Sequence, residues 1–64
     1  MRSRVNVLLA ERRMTKRELE RRLGISHSTA WHWTTDEGLA RLPLAKLQRL
    51  AEAIGCEVAE LYES

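Results

Sequence analysis

Residues 15–35 read TKRELERRLGISHSTAWHWTT, and this stretch decides the fold. Thr15 is followed three residues later by Glu18, the spacing of a capping box. In that arrangement each side chain satisfies a backbone N–H that the first helical turn leaves unpaired. Leu19 and Leu23, four apart, then share one helical face. Gly24 ends the helix, because glycine enters the left-handed conformation of a C-cap without steric cost. Ile25 is expected as a buried plug in the turn, and Ser26 caps the next helix. In that helix Ala30 and Trp33 share the inward face. The pattern predicts helices over about 16–23 and about 27–35, joined by a tight turn.

His27, Ser28, Trp31 and His32 are left facing outward. A solvated helix face usually carries Glu, Lys and Gln. This one carries a hydroxyl, two imidazoles and an indole, groups that hydrogen-bond to or stack on flat polar surfaces. Helix, glycine turn, helix, with such an outer face on the second, is the pattern of a helix-turn-helix reading surface.

Outward from this stretch, residues 5 to about 13 form a first helix with Val5, Leu8 and Leu9 inward and Asn6, Glu11 and Arg12 outward. Asn6 is an alternative N-cap if the helix starts late. Met14 closes the segment as a gap-filling core residue. Met1 to Arg4 is a short polar arm. A frayed terminus is the expectation there, with contact to phosphates or pairing as an extended segment as alternatives. Residues 36–42, DEGLARL, are read as a loop with Leu39 and Leu42 tucked beneath it. Pro43 opens a fourth helix to about Ile54, where its missing N–H costs nothing. Leu44, Leu47, Leu50, Ala51 and Ile54 make its apolar stripe, and Gly55 ends it. Cys56 is read as a small buried hydrophobe. Glu57 to Glu63 is read as a last short helix with Val58 and Leu61 inward and Tyr62 and Ser64 at the domain edge.

The 64 residues make a single domain, 1–64. A chain this short buries only about 60% of its unfolded surface. No apolar run approaches the ~20 residues of a membrane span, and the N-terminal stretch lacks the features of a signal peptide. The one cysteine excludes an intrachain disulfide, which fits a cytoplasmic location. His27 and His32 lie five apart, which does not suit a shared metal, so no zinc site is expected. There is no glycine-rich phosphate loop, no Ser/His/Asp arrangement and no paired carboxylates on one helix face. No catalytic residues, cofactor or small-molecule substrate are expected. The net charge of +2 is unevenly spread. Residues 1–35 hold eight basic and three acidic side chains (+5), and residues 36–64 hold three basic and six acidic (−3). A basic face opposed to an acidic back suits approach to a phosphate backbone.

Thr15, Glu18, Leu19, Leu23, Gly24, Ile25, Ser26, Ser28, Thr29 and Trp33, with the downstream LPLAKLQRLAEAIGCEVAEL, resemble the lambda-repressor-like (Cro-type, or xenobiotic-response-element) helix-turn-helix family. The chain is closest to a subgroup whose members are little more than the DNA-binding domain. The resemblance implies an all-α fold, a compact bundle of five helices with the helix-turn-helix at about 16–35. It implies sequence-specific binding of double-stranded DNA as a transcriptional regulator, with repression expected and the oligomeric state, including a homodimer on DNA, left open. His27, Ser28, Trp31 and His32 would meet base edges, and Lys16, Arg17, Thr29 and Arg41 would hold the DNA backbone. For Lys16 the start of its helix also offers free amides to an anion. Arg21 and Arg22 are read as solubilising charges.

Departures from the family pattern are informative. An arginine–glutamate pair common in relatives is replaced by Leu9 and Thr34, an exchange that is often neutral or stabilising. Glu20 stands where alanine is usual, and Ala30 where a larger residue is usual. The two are expected to compensate, with the Glu20 stem filling space and its carboxylate reaching the surface, an Arg or Trp partner being open. Asp36 and Glu37 occupy a region that tends to be basic in relatives. With an exposed Trp31 they favour the alternative function, a protein–protein interaction module that kept the fold but reads no DNA.

Overall fold

The computed structural model describes residues 1–63; Ser64, expected at the domain edge, lies outside them. Two helices follow the sequence pattern closely. Helix α2 (Lys16–Leu23) begins at Thr15, whose hydroxyl accepts the Glu18 N–H, and ends at Gly24 with φ 66°. Helix α3 (His27–Thr34) begins at Ser26, whose hydroxyl accepts the Thr29 N–H. Before them lies α1 (Val5–Glu11), and after them α5 (Leu44–Ile54), which ends at Gly55 with φ 89°. Helix α2 packs on α3 and α5. Val5, Leu8, Leu19, Leu39, Leu50 and Leu61 are fully buried at the centre. Each stabilises the fold by about 1.5–3 kcal/mol of transfer free energy. Leu9 joins this core, and Thr34 is buried with its hydroxyl donating to the Trp31 carbonyl at 2.7 Å. No buried side-chain polar atom among the described residues is left without a partner.

The expected loop at 36–42 is instead a short helix, α4 (Asp36–Ala40). Thr35 caps it, accepting the Gly38 N–H at 3.0 Å. Asp36 and Glu37 fill its first turn, where carboxylates complement the helix dipole. Five residues are too few to show a helical period, and glycine stands where a capping-box glutamate would signal a start. Leu39 is fully buried and Leu42 is half-buried, as expected.

The ends of the chain also differ from expectation. Met1 to Arg4 is not frayed: β1 (Arg2–Ser3) pairs antiparallel with β2 (Tyr62–Glu63) in the register Arg2–Glu63 and Ser3–Tyr62. The Arg4 N–H adds a bond to the Leu61 carbonyl at 2.8 Å. The expected last helix is a single 3-10 turn (Val58–Leu61) running into β2, with a Glu57–Glu60 capping box at its start. Helix α1 stops two residues early. Arg13 takes φ 53°, and the Met14 N–H closes the end by reaching the Leu9 carbonyl at 2.9 Å. Arg4 rather than Asn6 occupies its N-cap. Leu44 is 62% exposed rather than part of the buried stripe. Pro43, Ala45 and Lys46 are exposed beside it, so the first turn of α5 overhangs the core.

Arginines close the helix ends. Arg22 on α2 donates to the Ala53 carbonyl near the end of α5 at 3.0 Å, and Arg49 on α5 donates to the Leu23 carbonyl at the end of α2 at 3.3 Å. Each helix caps the orphan carbonyls of the other. Arg22 is thus a structural clasp rather than only a solubilising charge. Cys56 is half-buried against the core; burial, then the nearby Glu60, push its thiol pKa up, with Arg12 opposing.

Gly38 is where α4 meets the end of α3. A Cβ there would overlap the carbonyl oxygen of His32. At Gly24 a Cβ would meet nothing within 4 Å, and the constraint is the positive φ alone. The two positions should therefore respond differently. Gly38→Ala should cost about 1–3 kcal/mol through overpacking, lowering Tm by roughly 5–20 °C. Gly24→Ala should cost about 1–2 kcal/mol. Asparagine, which tolerates the left-handed region, should recover part of the loss at Gly24 and none at Gly38. Thermal unfolding of the four variants measures this; recovery by asparagine at Gly38 would contradict the steric account.

Candidate nucleic-acid interface

Helix α3 has two contrasting faces. Ala30 and Trp33 are buried, 1% and 8% exposed, and pin the helix to the core. His27, Ser28, Trp31 and His32 are all exposed. Trp31 is 53% exposed, and its ring meets that of His32 edge-on, with centroids 5.7 Å apart and planes at 79°. This edge-to-face geometry is favourable between aromatic rings. On the opposite face, Lys46 of α5 places its Nζ 5.8 Å from the centroid of the Trp33 ring, a cation–π contact that ties α5 to α3.

His27 does not stand alone. Its Nδ1 lies 3.0 Å from Oε2 of Glu20, across the turn between α2 and α3. The Glu20 side chain is 18% exposed and the His27 side chain 79% exposed, so the carboxylate sits back in the crease while the imidazole projects. The partner of Glu20 is thus a histidine rather than an arginine or tryptophan. The sequence carries no signal for this contact. The two residues are seven apart on different helices, and only the angle of the turn brings them together.

Thr29 has local work. Its backbone N–H and its hydroxyl oxygen both meet the hydroxyl of Ser26, at 3.2 and 2.9 Å. Ser28 has its side chain free of such a cap bond among the described residues. On α2, Arg17 and Arg21 line an open recess of about 510 Å³ with Glu20 and Ile25. Lys16 is half-buried at the first position of α2, and Arg17 is exposed beside it. Arg41 is exposed at the C-cap of α4, on a separate element. Among the described residues, Lys16, Arg17, Arg21 and Arg41 have no carboxylate within 4.0 Å, whereas Arg12 and Arg22 pair with Glu11 and Glu18. Asp36 is exposed, and its Oδ1 accepts the Ser3 N–H at 2.6 Å, tying β1 to α4. No helix among the described residues is long and apolar enough to cross a membrane.

A cap-defined helix, a left-handed glycine turn and a second helix with a polar, aromatic outer face define a helix-turn-helix domain. Comparison with known families agrees. Residues 4–64 match the family model described as the Cro/C1-type HTH DNA-binding domain, and the chain belongs to that family. No curated protein and no solved structure matches it. The protein is therefore a DNA-binding domain of the transcription-regulator type, in a family that is regulatory rather than enzymatic.

The exposure of the two indoles is directly measurable. Acrylamide should quench Trp31 strongly and Trp33 weakly, because quenching requires collision with the ring. Trp31→Phe should leave a protected emission and Trp33→Phe an accessible one. Equal quenching in the two variants would contradict the two-faced arrangement of α3.

Proposed function

We propose that this domain represses transcription by sequence-specific binding of double-stranded DNA, with α3 in the major groove. The observation that carries this reading is the outer face of α3, where His27, Ser28, Trp31 and His32 are exposed on a helix whose other face is buried. The major groove is about 12 Å wide and admits such a helix. The imidazoles and the Ser28 hydroxyl suit base edges, and the Trp31 ring suits a thymine methyl or a deoxyribose. Lys16 and Arg17 at the start of α2, Thr29 and the exposed Arg41 then contact phosphates. The hydroxyl of Thr29 accepts from Ser26 and keeps its own proton for a phosphate oxygen. A small domain occupying its site obstructs other proteins there, which is the simplest route to repression. Two copies on DNA would select an inverted repeat with half-sites about 10 base pairs apart.

A second reading is a protein-interaction module, favoured by the 53% exposure of Trp31. Selection of duplexes from a random pool separates the two. The DNA reading expects an enriched motif and binding with a log–log salt slope near −3 to −4, from about three to five phosphate contacts. Absence of binding at low salt would overturn it in favour of the second reading. Within the DNA reading, His27→Ala and His32→Ala should each cost roughly 1–3 kcal/mol on the selected site and little on scrambled DNA. Lys16→Ala should weaken both about equally. Histidine variants that keep the wild-type ratio would show that α3 is not the reader.

A further inference from the structure

We propose that Glu20 is a positioning residue that decides what His27 offers to a base, and that the neutral ring offers a hydrogen-bond acceptor. This rests on the reading of α3 as the DNA-contacting helix. The Glu20 Oε2 lies 3.0 Å from His27 Nδ1. An ionised carboxylate only accepts hydrogen bonds, so Nδ1 must carry the proton in this contact. A neutral imidazole has one N–H; with that proton on Nδ1, Nε2 is a bare acceptor. Nε2 lies on the side of the ring away from Nδ1, and the His27 side chain is 79% exposed, so the acceptor faces outward. In the major groove an acceptor matches the N4 amino group of cytosine or the N6 amino group of adenine. Without Glu20 the ring could hold its proton on either nitrogen and serve as donor or acceptor, which blurs the preference.

Cytosine is the one base whose major-groove edge offers a donor and no acceptor, whereas adenine offers its N6 donor beside the N7 acceptor. The charged groups beside this contact are Arg17 and Arg21 of α2, which line the recess with Glu20. Glu20 is the one carboxylate within 4.0 Å of the His27 ring among the described residues. The contact spans the crease between α2 and α3, so it needs no DNA to form.

Two measurements test this. In the free protein, 15N shifts of the His27 ring should show Nδ1 protonated and Nε2 bare at about pH 8, the range in which histidine is neutral. Glu20→Gln keeps the shape but can donate to or accept from Nδ1, and should give a mixture of tautomers. A wild-type ring protonated on Nε2 overturns the proposal whether or not the variant folds. In random-pool selection, the base position contacted by His27 is the one whose preference disappears in His27→Ala. There the wild type should prefer cytosine at about pH 8, the range in which histidine is neutral. Glu20→Gln should lose roughly tenfold of the discrimination at that position alone. Unchanged discrimination in Glu20→Gln overturns the role of Glu20. A wild-type protein that selects no motif overturns the DNA reading itself, and the ring shifts still report on the contact.

Discussion

The carbonyl of His32 is the point on which the rest of the arrangement depends. It accepts the hydroxyl of Thr35 at 2.8 Å and the Thr35 N–H at 3.2 Å, closing the end of α3. The same threonine hydroxyl accepts the Gly38 N–H and starts α4. One residue therefore ends one helix and begins the next, and only a glycine at 38 leaves room for the two backbones. From α4, Asp36 reaches the Ser3 N–H, and β1 in turn pairs with β2. The end of α3 is thus connected through these hydrogen bonds to both ends of the described chain. A domain of this size has little core to spare, and this chain of hydrogen bonds substitutes for burial at its margins.

The same arrangement sorts the charged residues. Three arginines of the basic half and its neighbour do structural work: Arg12, Arg22 and Arg49 donate to carbonyls at helix ends. The acidic pair that looked unfavourable for DNA is part of the first turn of α4, and Asp36 is engaged with Ser3. Arg12 and Arg22 pair with Glu11 and Glu18, so the +5 of residues 1–35 is carried by Arg2, Arg4, Arg13, Lys16, Arg17 and Arg21 against Glu20. A moderate, salt-sensitive attraction follows from that set, with selectivity resting on the side chains of α3.

Sequence alone determined the central element. Thr15, Gly24 and Ser26 act within a few residues of themselves, through caps and a left-handed turn, so α2 and α3 were legible to the residue at their starts. The outer face of α3 was legible for the same reason: once Ala30 and Trp33 are inward, helical periodicity sends His27, Ser28, Trp31 and His32 outward. The family match spans residues 4–64. Tertiary structure decided what depends on distant partners. Helix α4 is too short to have a period and exists because Thr35 caps it and Leu39 finds the core. The β1–β2 pair joins residues at opposite ends of the described chain, which no local pattern encodes. Leu44 fits the apolar stripe by spacing, yet it is exposed because α5 extends past the core. Glu20 and His27 meet only because the turn at Gly24 sets the angle between their helices. On α3 the sequence specified which side chains face outward; their partners were set by the packing of one helix on another.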